Sequence, residues 1–166
     1  GGGISPGQYN TSVGLVSMTG AVYTGNYNLS LGYAAVPAAV DTSGQCTLGD
    51  SNIADLRCND QSIAALSNER DKTNIVDSPY GLAFINSTKP RQFLWDARDA
   101  NVKNGSTRLG FIAQELLVAA DGNNDVLNLV MEDNPEKLEA KYGNLLPIMV
   151  KAIQELSAKN DALEAR

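Results

Sequence analysis

Apolar residues in the first sixty positions follow no helical period. They come in short groups that break at glycine. Asn10-Thr11-Ser12-Val13-Gly14, Asn28-Leu29-Ser30-Leu31-Gly32 and Gln45-Cys46-Thr47-Leu48-Gly49 share the form Asn/Gln-x-x-apolar-Gly, at intervals of 18 and 17 residues. Each copy predicts a short β run closed by a glycine, the residue that turns a corner without steric cost. Short strands at a fixed interval are what a β-solenoid requires. One such coil buries little apolar surface, so stacking or association of chains has to complete its core.

Past residue 60 the pattern changes. Leu82-Ala83-Phe84-Ile85-Asn86, after Ser78-Pro79, predicts a short amphipathic helix. Gln92 to Trp95 and Arg108 to Ile112 predict two strands of a hairpin, with Asn104-Gly105 as the turn signal. Gln114 to Ala120 reads as helix, stopped by Asp121-Gly122-Asn123-Asn124, and Val126 to Met131 as a further strand. A helix is expected over about 136–166. In it Tyr142, Leu146, Met149, Ile153, Leu156, Asn160 and Leu163 alternate steps of four and three, the seam of an oligomer-forming coiled coil with one polar position or, alternatively, the apolar face of a helix packed on its own domain. Pro147 interrupts the seam, so the continuous coil is expected from Ile148.

Composition divides the chain at the same place. Residues 1–60 hold most of the glycine and almost no charge, whereas 67–166 carry nearly all the Lys, Arg and Glu. The fold class expected is therefore α+β. A β-solenoid or β-roll stalk over 1–66 precedes a mixed domain over 67–166 that ends in a long coiled-coil helix.

Net charge is −6, from 13 Lys+Arg against 19 Asp+Glu, without a basic block. That argues against sequence-independent nucleic-acid binding, which needs clustered cations to neutralise phosphates. No apolar run is long enough to span a bilayer, and Gly1–Gly7 has neither the charge nor the apolar stretch of a signal peptide. With no histidine, Ser-His-Asp and Cys-His catalysis fall away. No cofactor or metal site is expected. Cys46 and Cys58 read as free thiols acting as small apolar residues, in keeping with assembly in a reducing cytosol.

Without histidine, the base available to a serine nucleophile is lysine. Ser67 and Lys72 stand five residues apart, beyond one helical turn, so they meet only if the chain bends between them. A lysine accepts a proton only while its amine is uncharged, which burial or a neighbouring cation favours.

Residues 9–56 resemble the head repeats of trimeric autotransporter adhesins and related phage-fibre repeats. The residues that carry this are Asn-Thr-Ser-Val-Gly, Leu-Ser-Leu-Gly-Tyr-Ala-Ala and Thr-Leu-Gly-Asp-Ser-Asn-Ile. The resemblance implies a left-handed β-roll in a parallel homotrimer. From Ser67 onward the chain resembles the self-cleaving intramolecular chaperone domain of endosialidase tailspikes and phage tail fibres. The processing motif Ser-Asp-x-x-x-Lys-x-x-Ile stands here as Ser67-Asn68-x-x-x-Lys72-x-x-Ile75. Gly81-Leu82-x-Phe84-Ile85, Lys89-Pro90-Arg91-Gln92-Phe93, Gly110-Phe111-Ile112-Ala113-Gln114-Glu115-Leu116 and Val150-Lys151-Ala152-Ile153-Gln154-Glu155-Leu156 follow in order.

That resemblance implies a nucleophile at Ser67, a general base at Lys72 and a scissile bond at Leu66–Ser67, with Asn68 where Asp is usual. Gln114 and Glu115, in the signature string, become candidates for support of the dyad or for contacts between subunits. The function implied is the C-terminal part of a tail fibre or tailspike of the virion. Its chaperone domain trimerises the fibre and then cuts itself off. The partners are two further copies of the chain, the upstream fibre and, through the mature fibre, a host-cell receptor. An uncleaved trimerisation tip and a receptor- or glycan-binding adhesin fragment are the alternatives. In the last of these, Tyr23, Tyr27 and Tyr33 would either stack on sugars or fill the roll and its interface.

Overall fold

The structure, a computed structural model, describes residues 7–60, 62–96 and 105–165. Asn104, half of the expected turn signal, lies outside them. The chain divides into two compact units. One takes Gly1–Leu56, Gln92–Leu109 and Met131–Glu139, and the other takes Arg57–Arg91, Gly110–Val130 and Ala140–Arg166.

In the first unit the three repeat copies form three strands, β1 (Thr11–Val13), β2 (Leu29–Leu31) and β3 (Cys46–Leu48). They pair in parallel in the order β1-β2-β3, with Ser12 opposite Ser30 and Ser30 opposite Thr47. The residue before each strand explains the register. Asn10 Oδ1 accepts the backbone N–H of Asn28 at 2.8 Å, and Asn28 Oδ1 accepts that of Gln45 at 3.0 Å. Their amide nitrogens donate to Gly25 O and Thr42 O, each at 2.8 Å. Asn28 is thus buried with both ends of its amide engaged, as a buried polar group must be. Two side chains, Asn10 and Asn28, thus tie each rung to the next.

The corners repeat as well. Tyr9 and Tyr27 both take a left-handed backbone (φ 62° and 59°), and Gly44 takes it at the third copy. The two tyrosine rings stack at 4.9 Å, tilted by 9°. Tyr23 is buried, whereas Tyr27 and Tyr33 are exposed. Both cysteines are unpaired and exposed, which corrects the expectation that they pack as small apolar residues. Cys46 lies on β3 with its side chain outward, and Cys58 lies in an exposed connection.

The expected hairpin forms from β4 (Arg91–Leu94) and β5 (Thr107–Gly110), its second strand stopping at Gly110 rather than at Ile112, which occupies the N-cap position of the helix that follows. Its strands meet at Trp95, whose N–H donates to Ser106 O and whose carbonyl accepts Gly105 N–H.

The second unit packs α1 (Leu82–Ser87), α2 (Ala113–Ala120), α3 (Asn124–Leu127) and α4 (Leu146–Glu164). Phe84, Leu116, Ala120, Leu127, Leu129, Leu145, Ile148 and Ala152 form its core. Two expectations need correction. Residues 126 and 127 belong to a helical turn rather than a strand, and only Val130–Met131 is extended, as β6, paired with β7 (Glu139–Ala140). Asn124 causes this. Its Oδ1 accepts the N–H of Leu129 and Val130, its Nδ2 donates to Val130 O, and Asn128 turns the chain left-handed. Likewise, the last helix begins at Leu146 and not near 136. Residues 139–140 are extended, and Tyr142–Leu145 form a 3-10 turn. Pro147 occupies the first helical turn, where its missing N–H has no intrahelical acceptor to lose.

Helix α1 starts without a cap of its own: among the described residues Ser78 bonds only to Tyr80, and Gly81 offers no side chain. Glu155 of α4 supplies the acceptor instead, taking the N–H of Leu82 at 2.9 Å. Glu155→Ala should lower the melting stability of this unit by about 1 kcal/mol, the usual cost of a lost helix cap. Denaturant melts followed by helical circular dichroism check this, and an unchanged midpoint would refute the cap.

Candidate active site

The segment 51–79 is exposed throughout its described length. Within it the chain makes one tight turn. Asn68 caps the 3-10 turn Glu69–Asp71, its Oδ1 accepting the N–H of Arg70 at 3.0 Å and Arg70 Nε–H at 3.3 Å. Asp71 N–H donates to Asn68 O and Lys72 N–H to Glu69 O. This is the bend that the five-residue spacing demands. It brings Lys72 Nζ to 2.5 Å from Ser67 Oγ. The cap asks only for an oxygen acceptor, which Asn provides as well as Asp would. Leu66, immediately before the serine, is fully exposed. A hydroxyl, an amine and an accessible peptide bond therefore stand within one local motif.

Gln114 and Glu115 occupy the first turn of α2. Gln114 is exposed. Glu115 is engaged by Arg91, whose Nε–H donates to Oε2 at 2.8 Å and whose second nitrogen donates to Oε1. The hydrogen bonds to Arg91 hold the Glu115 carboxyl below the usual carboxylate range, and Lys89 adds to this. Nothing in the sequence signals this pair, because its members lie 24 residues apart.

A lowered folded-state pKa means that the pair's contribution is complete above the ordinary Glu value of about 4.3 and fades as pH falls through the folded value. Glu115→Gln should thus lower the melting temperature slightly at pH 6, and by progressively less as pH falls below the ordinary Glu value. Melts at descending pH test it, and a difference that does not shrink with acidification would show the loss is not electrostatic.

Phe111 backbone N–H donates to Tyr142 Oη at 3.2 Å, and the two rings meet edge to face at 5.5 Å, which fixes the signature string against the turn before α4. Among the described residues no three His, Cys, Asp or Glu side chains gather as a metal would need, and no helix is long and apolar enough to cross a membrane.

Residues 67–122 match the model of a peptidase family described as "Chaperone of endosialidase". The match covers about a third of the chain and opens at Ser67, the serine that Lys72 approaches. No curated protein and no solved structure matches the chain.

Proposed function

We propose that this chain is the C-terminal end of a trimeric phage tail fibre or tailspike. Residues 67–166 act as an intramolecular chaperone that aligns three chains and then severs itself at Leu66–Ser67. The observation that carries the reading is the 2.5 Å approach of Lys72 Nζ to Ser67 Oγ at the residue where the family match begins.

In the proposed reaction uncharged Lys72 takes the hydroxyl proton, reversing the direction of the hydrogen bond. Ser67 Oγ attacks the Leu66 carbonyl carbon and the C–N bond breaks. The departing Ser67 nitrogen takes up the proton, leaving Leu66 as an ester on its neighbour's side chain. Water hydrolyses that ester to a Leu66 carboxylate and a new amino terminus at Ser67. Nucleophile and carbonyl belong to adjacent residues, so positioning replaces the entropy cost of an encounter. A lysine is a base only when withdrawn from water or placed beside another cation. In this reading three chains closing over the exposed turn provide that withdrawal, and cleavage reports assembly.

The helix α4 supports association. Ile148 and Ala152 are buried in its own unit, while Leu146, Met149, Ile153, Leu156 and Leu163 are exposed. The seam spacing thus leaves an apolar stripe that its own unit does not cover. The stacked rungs of the first unit support a β-solenoid stalk, whose long-range contacts form slowly and benefit from chains held in register. Intact-mass measurement of purified protein over time tests the function. Pieces corresponding to residues 1–66 and 67–166 are expected, and a single undivided mass from a verified trimer would overturn the proposed cleavage.

A further inference from the structure

The side-chain ladder that joins the rungs has an end, and that end is occupied. At Asn10 and Asn28 the amide oxygen accepts the next rung's N–H, and the amide nitrogen donates to the next rung's carbonyl. Gln45 stands in the same position on the last rung but does neither. Its Oε1 turns back to accept Ala38 N–H at 2.8 Å. Its Nε2 donates to Asp133 Oδ2 at 2.9 Å and approaches Met131 Sδ at 3.4 Å. Asn134 Nδ2 then donates to the carbonyl of Ala38 at 3.0 Å. Both backbone groups of Ala38 are satisfied, one by Gln45 and one by Asn134. The segment is shaped for this: Asn134 Oδ1 accepts Glu136 N–H, and Asn134 O accepts Lys137 N–H, closing a turn beneath the contact.

All these residues belong to one compact unit, yet Gln45 and Ala38 precede Leu66 whereas residues 131–134 follow it. We infer that Met131–Asn134 form a clasp on the last rung, holding the two sides of the Leu66–Ser67 bond together without the covalent link. Cutting that bond alone does not separate the pieces; the clasp must also open. While closed, it covers polar groups at the open end of the rung stack that would otherwise invite another chain. The inference takes from the proposed function only the place of the cut.

The test makes the cut independently. A site-specific protease sequence is inserted after Arg57, in the exposed connection, in a full-length Ser67→Ala chain, and the protein is cleaved with the added protease. The pieces are expected to elute together under native conditions at micromolar concentration. Asp133→Ala with Asn134→Ala should raise their dissociation constant roughly ten-fold or more, as expected for the loss of two net hydrogen bonds. Gln45→Glu, which sets a carboxylate against Asp133, should weaken the association, and Asp133→Lys in that background should restore it. A misfolded variant would show no such rescue.

Separate elution of the unmutated cut pieces would overturn the clasp. So would a dissociation constant that the double variant leaves unchanged. A chain that keeps Ser67 and fails to cut itself, beside a Ser67→Ala chain that stays clasped after added protease, counts only against the proposed cleavage. A chain that keeps Ser67, cuts itself and falls apart counts only against the clasp.

Discussion

Ser67→Ala is expected to remain at full length on a denaturing gel after the unmutated chain has divided into residues 1–66 and 67–166. Loss of a nucleophile in a cooperating pair costs on the order of four powers of ten or more in rate, so no residual cut should appear within days. The turn that holds Ser67 is built by Asn68, Glu69 and Arg70 backbone and side-chain bonds rather than by the hydroxyl. The substitution should therefore leave the proposed trimer intact, as light scattering would show. Lys72→Arg is the sharper companion. Arginine keeps the positive charge and can still reach the hydroxyl as a donor, but it cannot shed its proton. It should be as inactive as Ser67→Ala while melting within a degree or two of the unmutated protein. A Lys72→Arg chain that still divides before Ser67 would remove lysine from the role of base. A Ser67→Ala chain that fails to associate would remove the separation of assembly from chemistry.

Gly25→Ala should unfold the stacked rungs. Gly25 is buried, and a Cβ built on it would sit 1.7 Å from Thr42 O, the carbonyl that also accepts Asn28 Nδ2. Gly7, one rung earlier, is crowded in the same way, with Gly25 O at 2.0 Å from its Cβ position. These carbonyls are backbone groups fixed by the rungs, so neither can swing aside. The cost should reach about 3 kcal/mol or more, the upper end for overpacked substitutions. Gly20→Ala is the control. Its φ is +83°, but nothing lies within 4 Å of its Cβ position, so only the backbone preference of about 1 kcal/mol is lost. Urea melts of the two variants should differ by at least that margin. If Gly25→Ala melts with Gly20→Ala, close stacking of the rungs is not what holds this unit.

Local signals in the chain translated directly into structure. The Asn/Gln-x-x-apolar-Gly copies predict three strands, and the structure pairs them residue for residue, because the ladder amide sits at the same offset in each copy. Helices α1 and α2 follow their apolar spacing, and α2 ends where Asp121 turns left-handed. The bend between Ser67 and Lys72 is implied by spacing alone, and Asn68 shows how it is made.

What escaped reading is long-range, or decided by one polar side chain. The cap on α1 comes from Glu155, 73 residues away. Glu115 is claimed by Arg91. Apolar residues at 126–127 read as strand because Asn124, whose amide holds that loop in a helical turn, looks in sequence like any loop asparagine. The sequence predicts α4 from about 136, ten residues early, because charge and helix propensity across 136–141 carry no sign of the extended pair that β7 makes with β6.

The amide ladder also sorts insertions and deletions by where they fall. Between ladder residue and closing glycine the count is the same in every copy, while the connection leading to Gln45 is one residue shorter than the one leading to Asn28. An extra residue in a connection only lengthens an arc, at small entropic cost. An extra residue inside a copy instead breaks the residue-for-residue pairing of its strand with the neighbouring rungs and strands the backbone groups that meet there. Lineages of this chain should therefore drift in arc length while the five-residue copies stay constant in length.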